Sequence, residues 1–266
     1  MLDRFGRIIS YLRVSVTDRC NLRCRYCMPE DGVKLLNHDD VLSFEDIADF
    51  VKAAAGMGIT RVRLTGGEPL VRKGVVNLVS MVSNIDGITD LALTTNGILL
   101  ANFAEDLACA GLSRVNISID SMESARYKEI TRGGDINAVI AGIDAAENAG
   151  LGPIKLNCVT GEHSKASDEI SVKKFGARRG FEVRTIRMMD FASGSFSVVE
   201  GGTGGDCKCC NRLRLSSDGH IRPCLFSDIS LDVRKLGAKE AIRQAVLQKP
   251  QSGGPCQHNW MHGIGG

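Results

Sequence analysis

The sequence predicts an α/β chain: a partial (β/α)6 TIM-type barrel with a C-terminal cysteine-bearing extension. Three observations lead there. Short β-type runs alternate six times with segments long enough for a helix, polar motifs sit at the C-terminal end of nearly every run, and the alternation stops near residue 190. Six alternations imply a parallel sheet. Loops at the C-terminal ends of many strands converge on one centre only when the sheet curls, whereas an open sheet places its site at a single crevice.

The strands are expected at 12–16, 61–64, 90–93, 114–119, 154–159 and 182–186. The first leads into Thr17, Asp18, Arg19 and Cys20, the second into Thr65-Gly66-Gly67-Glu68-Pro69, and the third into Thr94-Thr95-Asn96-Gly97. Ser118, Ile119 and Asp120 close the fourth, Lys155 and Asn157 lie within the fifth, and Met188-Met189-Asp190 follows the sixth. The helix at 43–56 carries the clearest signals: Ser43 and Asp46 in capping-box positions, apolar residues at Phe44, Ile47, Phe50, Val51 and Ala54, and Gly58 beyond its end. Weaker helices are expected at 70–83, 101–110, 122–131, 136–149 and 167–179. Residues 191–205 are Gly/Ser-rich and read as a shortened linker. Residues 206–228 read as a cysteine-bearing hairpin turning at Ser217-Asp218-Gly219, before a short amphipathic helix at 238–247. The expected organisation is a barrel at 1–190, the linker at 191–205, and a C-terminal region at 206–266.

Composition narrows the function classes. The chain has 266 residues, 43% hydrophobic and 24% charged, with a formal net charge of +2. A domain of this size buries roughly 70–75% of its unfolded surface and needs no disulfides. The small net charge gives no reason to expect nucleic acid or a membrane surface as partner. No apolar run approaches the length of a membrane span, and the N-terminus carries Asp3, Arg4, Arg7 and Arg13 rather than a secretory signal. A cytoplasmic location is expected. Ten cysteines in a reducing compartment point to metal ligands rather than disulfides.

The first group, Cys20-x3-Cys24-x2-Cys27, offers three thiolates within eight residues, one short of the four that close a 4Fe–4S site. One iron then stays open to a non-protein ligand, the condition for activating a substrate at a metal. A zinc knuckle or an electron-transfer ferredoxin needs a fourth ligand, and no His or Cys follows Cys27 closely. The second group, Cys207-x2-Cys210-x13-Cys224, is another three-ligand set. Cys209 leaves open which thiols bind, and makes a zinc ribbon imaginable. Arg212, Arg214 and Arg222 flank this group, and arginine forks match phosphate oxygens. Cys109 and Cys158 are expected as packing residues, and Cys256 receives no role.

The Cys-x3-Cys-x2-Cys spacing with Tyr26 before the last cysteine, together with Gly66-Gly67-Glu68-Pro69, resembles the radical S-adenosylmethionine (SAM) superfamily. The resemblance implies that SAM chelates the open iron and is cleaved there to methionine and a 5′-deoxyadenosyl radical. It implies a SAM site made of Tyr26, Gly67, Glu68, Thr94, Asn96, Ser118 and Met189. Glycines there would let the backbone approach the ligand closely, and the Glu68 carboxylate would accept from its ammonium. Taken singly, Thr94 to Gly97 is a turn and Ser118 a strand-end hydroxyl; as an ordered set at successive strand ends they are far more specific.

Longer segments are similar to one family, molybdenum cofactor biosynthesis protein A (GTP 3′,8-cyclase). They are Gly6-Arg7, Tyr11 through Cys20 to Met28-Pro29, Arg114 through Asp120, Cys210-Asn211-Arg212-Leu213-Arg214-Leu215, and the terminal Ile264-Gly265-Gly266. This resemblance implies a lyase with two 4Fe–4S clusters, on Cys20, Cys24 and Cys27 and on Cys207, Cys210 and Cys224, facing across one cavity. GTP would lie between them among Arg13, Arg61, Arg63, Lys155, Arg184, Arg212 and Arg214. Arg13, Arg212, Arg214 and the Gly265-Gly266 tail would belong to the catalytic machinery. The product, 3′,8-cyclo-7,8-dihydro-GTP, would pass to the downstream cyclic pyranopterin synthase. An electron donor such as flavodoxin or ferredoxin is implied, and a homodimer is compatible. The chain departs from the family in a shorter stretch between Asp190 and Cys207, in divergence at 160–172, and in Arg187, which stands where the family has an acidic residue. The shorter stretch predicts the loss of one cavity wall. Two other readings therefore stay open: a radical SAM enzyme of another specificity, such as one that modifies peptides, and a degenerate paralogue that binds clusters or a partner without turnover.

Overall fold

The computed structural model describes residues 1–257. Six parallel strands, β1 (Tyr11–Ser15), β2 (Arg61–Thr65), β3 (Asp90–Thr95), β4 (Arg114–Ser118), β5 (Lys155–Thr160) and β6 (Glu182–Arg187), follow one another in order across the sheet. Along them apolar residues facing the core alternate with polar residues facing a central cavity. Leu12, Val14, Leu64, Leu93, Val115, Ile117 and Leu156 are essentially inaccessible. The covering helices are α1 (Phe44–Ala55), α2 (Val75–Ser83), α3 (Ala104–Cys109), α4 (Ser124–Thr131), α5 (Ile136–Asn148) and α6 (Ala166–Arg179). In α1 the expected capping box forms, Ser43 accepting from the Asp46 amide and Asp46 accepting from the Ser43 amide. The helix expected from residue 70 begins late. Pro69–Val71 is a single 3-10 turn, and Gly74, at φ 83°, breaks the chain before α2.

The sheet does not close between β6 and β1. Its other edge continues instead through β7 (Arg212–Leu215), parallel to β1, then antiparallel β8 (His220–Arg222) and β9 (Leu231–Asp232). The C-terminal hairpin is thus part of the barrel sheet, and its turn falls at 216–219 as the residues suggest. Helices α7 (Val233–Leu236) and α8 (Ala238–Leu247) follow, α8 burying Ala241, Ile242, Ala245 and Val246. Among the described residues no helix is long and apolar enough to cross a membrane.

This topology fixes where the cysteines lie. Cys20, Cys24 and Cys27 follow β1 and so stand at the C-terminal ends of the parallel strands. Cys210 precedes β7, and Cys224 follows β8, whose Arg222 is paired with Arg214. Both therefore stand at the opposite, N-terminal end. The five residues of β1 alone rise about 16 Å between them.

Candidate active site

One cavity of about 910 Å³ is lined by both cysteine groups and by the inward side chains of β1 to β7. At its C-terminal end the loop from Cys20 to Met28 has little regular structure and is held by backbone ties. The Cys24 carbonyl accepts from the amides of Cys27 and Met28. Arg23 and Arg25 donate their amides to Thr131 and Ile130, and the Arg132 guanidinium reaches the carbonyls of Arg23 and Met28, both at 2.9 Å. Burial pushes all three thiols up, Cys27 to about 12, and the neighbouring sulfurs and Asp120 add to the shift at Cys24 and Cys27. Three half-buried thiols that oppose one another's ionisation fit a cationic iron–sulfur core, whose positive charge would stabilise them as thiolates.

The glycine pair lines the cavity and also packs on the cysteine loop. A Cβ on Gly66 would lie 2.4 Å from the Thr17 carbonyl oxygen, and one on Gly67 only 2.3 Å from that of Arg19. The two glycines let β2 dock against the cysteine loop, with Gly67 and Glu68 donating their amides to Thr17 and Arg19 at 2.8 Å. Gly67→Ala is accordingly expected to displace the loop at a cost of roughly 1–3 kcal/mol. The iron content of the reconstituted protein checks it, and should fall. Glu68 is buried and does not line the cavity. One oxygen accepts from the Leu70 amide and the Thr95 hydroxyl, the other from the Asn96 amide. Burial pushes its pKa up to about 7 against those donors. Its carboxylate holds the β3 end in place through these three donors, with acceptor capacity remaining.

The remaining residues expected at a SAM site do face the cavity: Tyr26, Gly67, Thr94, Asn96, Ser118 and Met189. Thr94 Oγ1 is buried with no hydrogen-bond partner, the kind of orphan a ribose hydroxyl would satisfy. Asn96 donates to Asn21 Oδ1 at 2.8 Å and accepts from the Ile98 amide. Two residues beyond the expected set support this wall, Asp120 lining the cavity and His163 packed behind Tyr26. Asp120, pushed up to about 6 by burial, accepts from Tyr26 Oη at 2.9 Å and from the Val159 amide. His163 packs on the Tyr26 ring with centroids 4.7 Å apart. Asp120 closes a strand like its neighbours, so its position was visible in the sequence; nothing local marks His163.

The N-terminal half of the cavity is basic. Arg13, Arg61, Arg63, Lys155, Arg184, Arg212 and Arg214 all line it, as does Arg114. Glu182 neutralises part of this charge, pairing with Lys155 and Arg184, and Asp90 pairs with Arg114. Arg61, Arg63 and Arg212 have no ion pair among the described residues. Burial lowers Arg13 to about 9 with help from Arg214, and Arg63 and Arg214 to about 10. The Tyr11 ring stands between Arg63 and Arg212, 5.7 Å from each guanidinium carbon. Buried cations that repel one another call for a polyanion.

Cys207, Cys210 and Cys224 line this end, whereas Cys209 is exposed and donates to the Asp206 carbonyl. Among the described residues no three His, Cys, Asp or Glu side chains could hold a single metal ion. Two unexpected cations brace this end of the cavity. Lys249, 1% exposed, donates to the carbonyls of Arg212 and Pro223 at 2.7 and 2.6 Å and so ties the segments bearing Cys210 and Cys224. Arg7, ion-paired to Asp3, reaches the carbonyls of Cys207, Pro250 and Gln251. Nothing local in the sequence distinguishes Lys249. Cys158 is buried as expected, but Cys109, expected to pack, is exposed on the outer side of α3. Cys256 is buried, its amide donating to Phe191. Gly265 and Gly266 lie outside the described residues.

Fold and cysteine loop together define a radical SAM protein, and residues 14–173 match the radical SAM superfamily. At 16% identity the fold resembles native anSMEcpe with bound AdoMet, with a TM-score of 0.65 over 91% of this chain and 81% of that one. Methylornithine synthase gives 0.57 over 69% and 54%, at 17% identity. Within the superfamily the chain belongs to the GTP 3′,8-cyclase family. It is 42% identical to the GTP 3′,8-cyclase of Alkaliphilus oremlandii over 301 aligned positions, covering 94% of this chain and 93% of the relative. It is 40% identical to that of Moorella thermoacetica over 311 positions, covering 99% and 96%. Both alignments are longer than this chain's 266 residues, so the relatives carry residues that it lacks.

Proposed function

We propose that the chain is a GTP 3′,8-cyclase that acts in molybdenum cofactor biosynthesis, with one 4Fe–4S cluster and SAM at Cys20, Cys24 and Cys27 and a second cluster at Cys207, Cys210 and Cys224. The observation that carries it is one cavity with three thiols at each end and an arginine cluster between them. When bound, the first cluster and SAM would supply a 5′-deoxyadenosyl radical that takes the ribose 3′ hydrogen of GTP, after which C3′ bonds to C8. One electron, ultimately from the external donor, with one proton then closes the nucleotide radical to 3′,8-cyclo-7,8-dihydro-GTP.

The residues divide the remaining work. Arg13, Arg61, Arg63, Arg212 and Arg214 hold the triphosphate, and its charge offsets their mutual repulsion. Thr94, Asn96, Ser118 and Met189 orient SAM, with Glu68 and Asp120 fixing the strand ends behind them. Lys249 and Arg7 hold the second thiol set so that the guanine end of GTP meets it. The cavity walls exclude water from carbon radicals. An external one-electron donor such as flavodoxin or ferredoxin and a downstream cyclic pyranopterin synthase complete the scheme, and a homodimer is compatible with it. The test is anaerobic reconstitution with iron and sulfide, addition of SAM, dithionite and GTP, and mass spectrometry. 5′-Deoxyadenosine together with a cyclised isomer of GTP is the expected result; 5′-deoxyadenosine alone would return the substrate to question.

A further inference from the structure

The linker expected to leave a wall missing supplies one. Glu200 exchanges both backbone hydrogen bonds with Thr185 on the β6 edge, at 3.1 and 3.2 Å. Three residues on, Thr203 receives the Arg212 guanidinium on its hydroxyl and carbonyl, at 3.1 and 3.4 Å. Residues 200–203 therefore span the gap between β6 and β7, the two walls that the sheet leaves unjoined.

The span is made of Gly201, Gly202, Thr203, Gly204 and Gly205, and its composition has a steric reason. Gly205 sits at φ 82°, and a Cβ there would lie 2.1 Å from the Ser197 carbonyl oxygen. The Val199 amide closes the turn on the Gly204 carbonyl at 2.7 Å. Residues 202–207 all line the cavity. Among the described residues, the amides of Thr203, Gly204, Gly205 and Asp206 donate to no backbone or side-chain acceptor. Arg184 packs beside Gly202 and Arg212 beside Thr203. Asp206 is the one carboxylate of the run, and its Oδ1 accepts from the Lys208 amide. Successive free amides in a glycine-rich turn flanked by guanidiniums are the elements of an oxyanion nest.

We propose that residues 202–206 form a main-chain binding wall for the terminal phosphates of the nucleotide triphosphate, this chain's substitute for the longer wall of its relatives. The proposal rests on the reading that the cavity takes GTP. Amides suit this task at the open side of the barrel: they add donors without adding to the cation repulsion already stored among Arg13, Arg63 and Arg214.

Hydrogen exchange on the wild-type, cluster-loaded protein with SAM tests it without a mutation. GTP and inorganic tripolyphosphate should each slow exchange of the amides at 203–206 by roughly tenfold or more, and guanosine should not. A paired comparison supports it by equilibrium dialysis. Thr203→Pro removes one amide donor and should weaken GTP roughly tenfold, while Thr203→Ala, which loses only the hydroxyl, should stay within about threefold. If GTP binds yet neither ligand protects the loop, it is a passive wall and the proposal is overturned. If the wild type binds no GTP in dialysis, the functional reading fails instead, and protection by tripolyphosphate still decides the loop.

Discussion

Cys24→Ser is expected to abolish SAM cleavage, cutting 5′-deoxyadenosine release by more than about a thousandfold, because the three thiolates act as one unit. Cys24 is the middle ligand of the loop, and its carbonyl takes the amides of Cys27 and Met28. Its thiol is pushed up by burial and then by Asp120, Cys27 and Cys20. A serine hydroxyl in that setting stays protonated and is a poor ligand for iron. The fold should survive, since Ser and Cys differ little in volume and the loop's backbone ties remain. Quantifying 5′-deoxyadenosine after dithionite reduction checks it. Release at the wild-type rate would remove these cysteines from the reaction.

Cys224→Ser should separate the two ends of the cavity. 5′-Deoxyadenosine should still form in an uncoupled reaction, while the cyclised nucleotide falls below detection. Cys224 lies at the N-terminal end of the parallel strands, remote from the SAM wall, with a thiol pushed up by burial and opposed by Lys249 and Arg214. Lys249 ties the adjoining Pro223 carbonyl to β7, so the strand itself should hold without the thiolate. Loss of both products together would mean that the two ends are not independent.

How much of this was legible in the sequence depends on the range of the forces involved. All six barrel strands and the capped α1 carry their signals locally, in apolar runs and in Ser43 with Asp46. The strand-end motifs were legible as a set because a parallel barrel aims them at one point, and seven cations expected around GTP do share one cavity. What the sequence left hidden depends on long-range approach. The packing of Gly66 and Gly67 on Thr17 and Arg19, and the inward carboxylate of Glu68, follow from how β2 meets the cysteine loop. Lys249 and Arg7 bind backbone carbonyls about 26 to 244 positions away, which leaves no local pattern. The course of the short linker was equally hidden: its glycines allow a tight turn from β6 to Arg212 that longer side chains would obstruct.

The most direct test of the account follows the hydrogen. GTP deuterated at the ribose 3′ position should give 5′-deoxyadenosine carrying one deuterium, in parallel with the cyclised nucleotide that has lost it. Unlabelled 5′-deoxyadenosine alongside unchanged deuterated GTP would contradict the claim that this cavity brings the GTP ribose to the radical.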